Sequence, residues 1–320
     1  MESIMGRYLN IGMMQTHSAM DFESCLGRIE KDVADLMADM NTPELIAGVE
    51  MAIGRYWQSD ETKMGGDPIP GKVTERLSGI AKKYGVYLMP GSMIESAEKD
   101  GEKVIYNSIP IFGPDGSLID VYRKMCPYYP VEGRFSMGER YVTFKIKEKD
   151  ITVGVLNCHD VCFPEISRNL ALLGAEILIK PSIDPEGLYE ICRSLAPARA
   201  LENQAYFISL NMAGEFLGSY AYGRSMVCGP DGRVLYEAGS APTCLTMTFD
   251  FDKVRDARRY GTNYTDQFLR QLKLFNPPMP FANDIGGAPV YENLPEPDLN
   301  YKTRAELFKR DGLMTIGKPR

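Results

Sequence analysis

Histidine is nearly absent from this chain: His17 and His159 are the only two in 320 residues. That scarcity removes the usual proton carrier and commonest metal ligand at neutral pH from most of the molecule. Long apolar runs are missing too. No stretch reaches the roughly 18 residues of a membrane span, and Asn10 and Gly12 interrupt any secretory pattern in MESIMGRYLNIGMM. Seven cysteines with no C-x-x-C pair argue for reduced thiols and a cytoplasmic setting. A net charge of −7 leaves no basic footprint, so nucleic acid is not an expected partner. Hydrophobic residues at 44% and charged ones at 25% are ordinary globular values. The length allows one large α/β domain or two smaller ones.

What is present centres on residues 151–165, ITVGVLNCHDVCFPE. A strand-like run from Ile151 to Leu156 stops at Asn157-Cys158-His159-Asp160, and Pro164-Glu165 opens a helix-like stretch. A strand, a tight elbow and a helix can hold one side chain exposed at the strand end, with backbone N–H groups pointing the same way. Cys158 is therefore the candidate nucleophile, set against the bland alternative of one more buried cysteine. Neighbouring residues on an extended elbow face opposite sides, so His159 is badly placed to take the Cys158 proton. A cysteine–histidine dyad would have to recruit His17, which stands in no motif, so a carboxylate base is expected instead. Asp160 and Glu165 have simpler roles open to them, an elbow hydrogen bond and a first-turn acid favoured by the helix dipole.

Elsewhere the chain alternates. Residues 8–14 read as a strand, Phe22 to Met40 as an amphipathic helix, Lys72 to Tyr84 as a second, and 85–91 as a strand. Residues 55–71 are polar and rich in Gly and Pro, the composition of a lid or substrate wall. Strands 103–112 and 117–122 flank Gly113-Pro114-Asp115-Gly116, and the same tetrapeptide returns as Gly229-Pro230-Asp231-Gly232. Two hairpins built alike, one in each half, suggest two related sheets. Further elements are a strand at 175–181, a helix at 187–204, strands at 205–211, 222–228, 233–237 and 243–250, and a helix around 264–274. Residues 276–320 turn proline-rich and polar and cannot form a core alone. The expected division is a catalytic domain over 1–275 and an extension over 276–320 that packs on a neighbouring subunit.

Three stretches in this order resemble the nitrilase superfamily of carbon–nitrogen hydrolases: Pro43-Glu44-Leu45 with Gly48, Tyr122-Arg123-Lys124, and Cys158-x-Asp160-x-x-Phe163-Pro164-Glu165. Arg199-Ala200-x-Glu202-Asn203 adds a helix-end pattern, and K-M-C-P-Y-Y-P-V-E-G from Lys124 to Gly133 is similar to the formamidase and aliphatic amidase branch. The resemblance implies a four-layer αββα sandwich and a catalytic set of Glu44, Lys124, Glu132 and Cys158. Glu44 is then the general base, Lys124 the cation facing the oxyanion with the backbone N–H of His159, and Glu132 a proton holder or substrate orienter. Glu50 is a rival for the base by proximity, but it lacks the preceding proline.

The implied reaction is hydrolysis of a small amide through a cysteine thioester, with no metal or organic cofactor and with homo-oligomers common. Nitrile hydrolysis fits less well, because nitrilases proper carry Trp-Glu after the cysteine. Tyr129 and Ser182 are the expected substrate-binding residues, with Tyr128 and Trp57 as further pocket walls. Pro181-Ser182-Ile183-Asp184, where the acyl pocket is expected, departs from both the formamidase and the amidase pattern. An N-carbamoyl compound therefore stays open as substrate, as does a catalytically dead binding homologue. A zinc site built from Cys158, His159, Asp160 and Cys162 is a weaker alternative, since adjacent ligands on one elbow rarely close a tetrahedron.

Overall fold

The computed structural model describes residues 6–18, 21–53, 66–129, 131–216, 219–292 and 294. The first half builds β1 (Tyr8–Gln15), α1 (Phe22–Met37), β2 (Leu45–Ala47), α2 (Lys72–Tyr84), β3 (Tyr87–Met89), β4 (Met93–Lys99), β5 (Glu102–Phe112) and β6 (Leu118–Arg123). The second builds β7 (Val142–Ile146), β8 (Ile151–Val155), α3 (Pro164–Leu172), β9 (Ile177–Ser182), α4 (Tyr189–Asn203), β10 (Tyr206–Asn211) and the β11–β12 ribbon (Ala213–Phe216, Ser219–Tyr222). Then come β13 (Met226–Cys228), β14 (Val234–Glu237), β15 (Thr243–Asp250), α5 (Asp252–Tyr260) and α6 (Phe268–Phe275).

Two large sheets result. One runs β15-β1-β2-β3-β5-β4, with β6 also on β5, and the other runs β14-β13-β10-β9-β8-β7. Their facing residues, among them Ile11, Ile46, Val153 and Ile208, share one core. Helices α1 and α2 close the outer face of the first sheet. Leu170 of α3 and Ala196 and Ala200 of α4 pack with Leu178 and Phe207 on the outer face of the second. This is the αββα sandwich that the motifs imply.

Local chemistry sets the element ends. Asp21 caps α1 by accepting from Ser24 N, and Leu26, Ile29, Val33 and Leu36 form its buried stripe. The two repeated tetrapeptides make matching hairpins. Gly113 and Gly229 each donate to the residue four positions on, Ser117 and Arg233, and Gly116 and Gly232 take φ of 84° and 78°. Each hairpin also has a register shift, at Ile111/Phe112 and at Val227/Cys228.

Within each sheet the central strands are parallel: β1, β2 and β3 in one, β8, β9 and β10 in the other. Side chains that follow such strands gather at their carboxyl ends, where sites in open α/β sheets form. After α6 the chain continues in turns, with Phe275, Met279 and Ile285 exposed. Trp57 and most of the 55–71 loop lie outside the described residues. No helix among the described residues is long and apolar enough to cross a membrane, and all seven cysteines are free.

Candidate active site

Cys158 follows β8 and takes φ of +49°, a left-handed conformation that is unusual for a residue with a side chain. The surroundings impose it. Asp160, buried beneath the elbow, accepts from Asn157 N at 2.8 Å, Cys126 N at 2.8 Å and the Tyr122 hydroxyl at 2.5 Å. One carboxylate thus ties the elbow to the end of β6 and to the loop after it. Burial raises its pKa to about 6, against the pull of Lys124 and of those donors. These three hydrogen bonds make Asp160 a structural clamp on the elbow. Among the described residues no group of His, Cys, Asp and Glu is arranged for a metal ion.

Lys124 lies just beyond β6, buried, with its ammonium 2.8 Å from Glu50 Oε1 and 2.6 Å from Glu132 Oε2. Burial works against its charge, but the Glu132 and Glu50 carboxylates help hold its pKa well above the usual lysine value. Glu132 accepts also from Tyr128 N at 2.6 Å and from Asn107 Nδ2 at 2.8 Å. Its described partners are all donors, which suits a carboxylate that fixes Lys124 better than one that carries a proton. Glu50 Oε1 accepts from Asn107 Nδ2 at 2.8 Å, and Oε2 from Ile183 N at 3.0 Å.

Glu44 is not part of this cluster. It precedes β2, with a side chain 39% exposed, and pairs with Lys149 at 3.2 Å while accepting from Asn10 N. Lys149 itself precedes β8, so Glu44 marks the amino end of the strands and Cys158 the carboxyl end. The six residues from Glu44 to Glu50 at about 3.3 Å each would put roughly 20 Å between the two ends if fully extended. Glu50 occupies the position expected of Glu44. The polarity of β2 carried the signal, since a side chain after the strand reaches the site and one before it does not.

Asn107 is a residue that the sequence motifs did not single out. It sits in β5, buried, and its amide donates to both Glu50 and Glu132 while its Oδ1 accepts from Asn157 Nδ2 at 3.0 Å. An asparagine in the apolar run VIYNSIPIF was the available signal, because a buried amide in a strand needs partners. Asn107→Leu removes donors from two neighbouring carboxylates at once. We expect a loss of about 1–3 kcal/mol in denaturant unfolding and roughly tenfold lower turnover. Wild-type unfolding and rate together would contradict the hub role.

The thiol itself is neutral at rest. Burial, then the charge of Glu50, pushes the Cys158 pKa well above the ordinary thiol value, against Lys124. Thiolate absorbance measured for wild type minus Cys158→Ser should therefore show no Cys158 ionisation up to pH 9. A step near neutrality would mean a preformed thiolate. The His159 ring packs edge-on between Tyr128 at 5.1 Å and Phe163 at 5.3 Å. Burial, with Lys124, lowers its pKa, so the imidazole is uncharged.

A second ion pair reaches the thiol. Asp184, two residues beyond β9, stands 3.4 Å from Cys158 Sγ through Oδ1, and Lys180 within β9 is 2.8 Å from Oδ2. Ser182, buried, lies between them in the chain, whereas Tyr129 is half-buried beside the Glu132 loop. A separate surface cavity lined by Glu95, Tyr106 and Arg123 holds none of these groups, and Glu95 and Arg123 pair with each other.

Comparison with known proteins agrees with this architecture. Residues 10–259 match the family model for carbon–nitrogen hydrolase. The omega-amidase NIT2 of Xenopus tropicalis is 32% identical over 208 residues, covering 60% of this chain and 71% of that protein. Nit3 of Saccharomyces cerevisiae, a member of branch 10 of the nitrilase superfamily, aligns with a TM-score of 0.72 at 27% identity, over 79% of this chain and 93% of its own. A glutamate-to-glutamine variant of the amidase from Nesterenkonia sp. AN1 aligns at 0.67 and 25% identity, over 80% and 95%. That structure shows the acetamide moiety of fluoroacetamide added covalently at its active-site cysteine. Fold and likeness define a hydrolase of carbon–nitrogen bonds other than peptide bonds. The chain belongs to the carbon–nitrogen hydrolase family.

Proposed function

We propose that the protein hydrolyses a small non-peptide amide, with Cys158 as nucleophile and Glu50 as general base. The observation that carries this is the buried Lys124 held between Glu50 and Glu132 beside the Cys158 elbow. The thiol proton passes to Glu50 as sulfur bonds to the carbonyl carbon, whose oxygen becomes an oxyanion. Two of the three Lys124 N–H bonds go to the glutamates among the described residues, leaving one for that oxygen, with the backbone N–H of His159 beside it. The intermediate collapses as the C–N bond breaks and Glu50 returns the proton to the leaving ammonia or amine. Water, deprotonated by Glu50, then cleaves the thioester and the thiol recovers its proton.

Glu50 is favoured over Asp184 as the base for an electrostatic reason. Burial alone would raise the pKa of Asp184, but Lys180 outweighs burial and lowers it, leaving a weak proton acceptor. The test is ammonia release across amides, ureido compounds and nitriles with wild type and Cys158→Ala. Release from amides, lost in the variant, is expected; undiminished release from the variant would reject the nucleophile. We also propose that a second copy covers the exposed Phe275, Met279 and Ile285. Light scattering should then give a multiple of the chain mass, and a monomer would exclude it.

A further inference from the structure

The Lys180–Asp184 pair has no task in the chemistry above, yet it touches the reacting sulfur. Both side chains are almost wholly buried, at 1% and 4% exposure. A buried ion pair is no bargain in stability, since apolar residues of like volume often serve as well or better. Asp184 is moreover held in place from several directions. Its backbone N–H donates to Asn211 Oδ1 at 2.7 Å, and Asn211 Nδ2 donates back to its carbonyl at 3.2 Å. Oδ2 accepts from Lys180 at 2.8 Å and from the Tyr222 hydroxyl at 3.5 Å. Ser182 and Cys192 also bond to this carboxylate, and Oδ1 accepts from the Cys158 thiol at 3.4 Å.

A thiol is a weak donor, and this one loses its hydrogen when sulfur attacks. From that moment a buried carboxylate oxygen faces the acyl group with no proton from Cys158. Losing a donor at a buried carboxylate is costly, so an acyl group that brings its own N–H or O–H is favoured over one that does not. Resting on the amidase reading, we propose that Asp184 Oδ1 selects substrates whose acyl side carries a neutral hydrogen-bond donor on the atom next to the carbonyl carbon. These are 2-hydroxy amides and ureido compounds. A neutral donor suits Oδ1 better than a cationic 2-amino group, because Lys180 at 2.8 Å already balances the Asp184 charge. Binding such a substrate also takes Oδ1 away from the thiol, freeing the S–H bond to turn toward Glu50.

Lactamide and isobutyramide test this, since they differ by a hydroxyl against a methyl at that atom. Sites built to bond a substrate hydroxyl reject the analogue lacking it by large factors. We expect wild type to favour lactamide in kcat/KM by roughly 10²-fold or more, with most of the ratio lost in Asp184→Asn. It should vanish in Lys180→Met/Asp184→Leu, which removes both charges together and guards against a lone buried lysine. Equal rates on both amides in wild type, or a ratio unchanged in the variants, would overturn the assignment while leaving the amidase reading intact. Ammonia from neither amide, with no acyl group on Cys158, would reject the amidase reading itself.

Discussion

Glu50→Gln should lower turnover on any accepted amide by on the order of 10³-fold, within the range general acid–base groups supply. Glu44→Gln should stay within about twofold of wild type. The contrast follows from the opposite ends of β2 that the two residues flank. Glu50 is buried and 2.8 Å from Lys124, and its charge is the largest charged influence on the Cys158 thiol after burial. Glutamine keeps the shape and an oxygen for Ile183 N–H but cannot take a proton. Glu44 faces Lys149 at the opposite strand end, in an ion pair partly open to solvent that contributes little. Steady-state ammonia release on the two variants decides between them. Loss in Glu44→Gln with retention in Glu50→Gln would reverse the assignment.

Lys124→Met should be the most damaging single change to the fold of the site. It removes the cation between Glu50 and Glu132 and leaves two carboxylates hydrogen-bonded to the same Asn107 amide. Breaking a buried pair from one side costs about 3–5 kcal/mol. Losing an oxyanion donor costs roughly a further 10²–10³ in rate. We expect a lower denaturant midpoint and no measurable ammonia release at neutral pH. Because the two carboxylates would then share a proton more readily, the stability deficit should shrink as pH falls toward 5. A variant with wild-type midpoint and rate would show that Lys124 is neither the oxyanion donor nor the counter-charge.

Much of this was legible from residue order. The elbow at Asn157-Cys158 shows as an abrupt end to a β-branched run, and the paired Gly-Pro-Asp-Gly turns announce matching hairpins in the two halves. Helices α1 and α2 follow from their apolar stripes and from Gly85, in the left-handed region at φ of 64°. Other elements were hidden. β4 ends in the polar SAEK, and β7 alternates only over five residues, so neither announces itself. The expected helix at 264–274 is instead α6 at Phe268–Phe275, preceded by α5, whose charged sequence DKVRDARRY leaves Val254 as its buried residue.

At the site, Lys124, Glu132 and Cys158 stand in short motifs that keep their meaning locally. The position of Glu50 depends on strand direction, and Asn107 and Asp184 become visible only when two sheets meet. Motif matching chose Glu44 for the proline before it. The topology places Glu50 and not Glu44 beside Lys124, because a parallel strand presents its carboxyl end to the site.

The most direct measurement is an acid-quenched reaction with an accepted amide, followed by peptide mass spectrometry. The account predicts an acyl group on the Cys158 peptide in wild type and in Glu44→Gln, and almost none in Glu50→Gln. An acyl group on another residue, or full Cys158 acylation at the wild-type rate in Glu50→Gln, would contradict it.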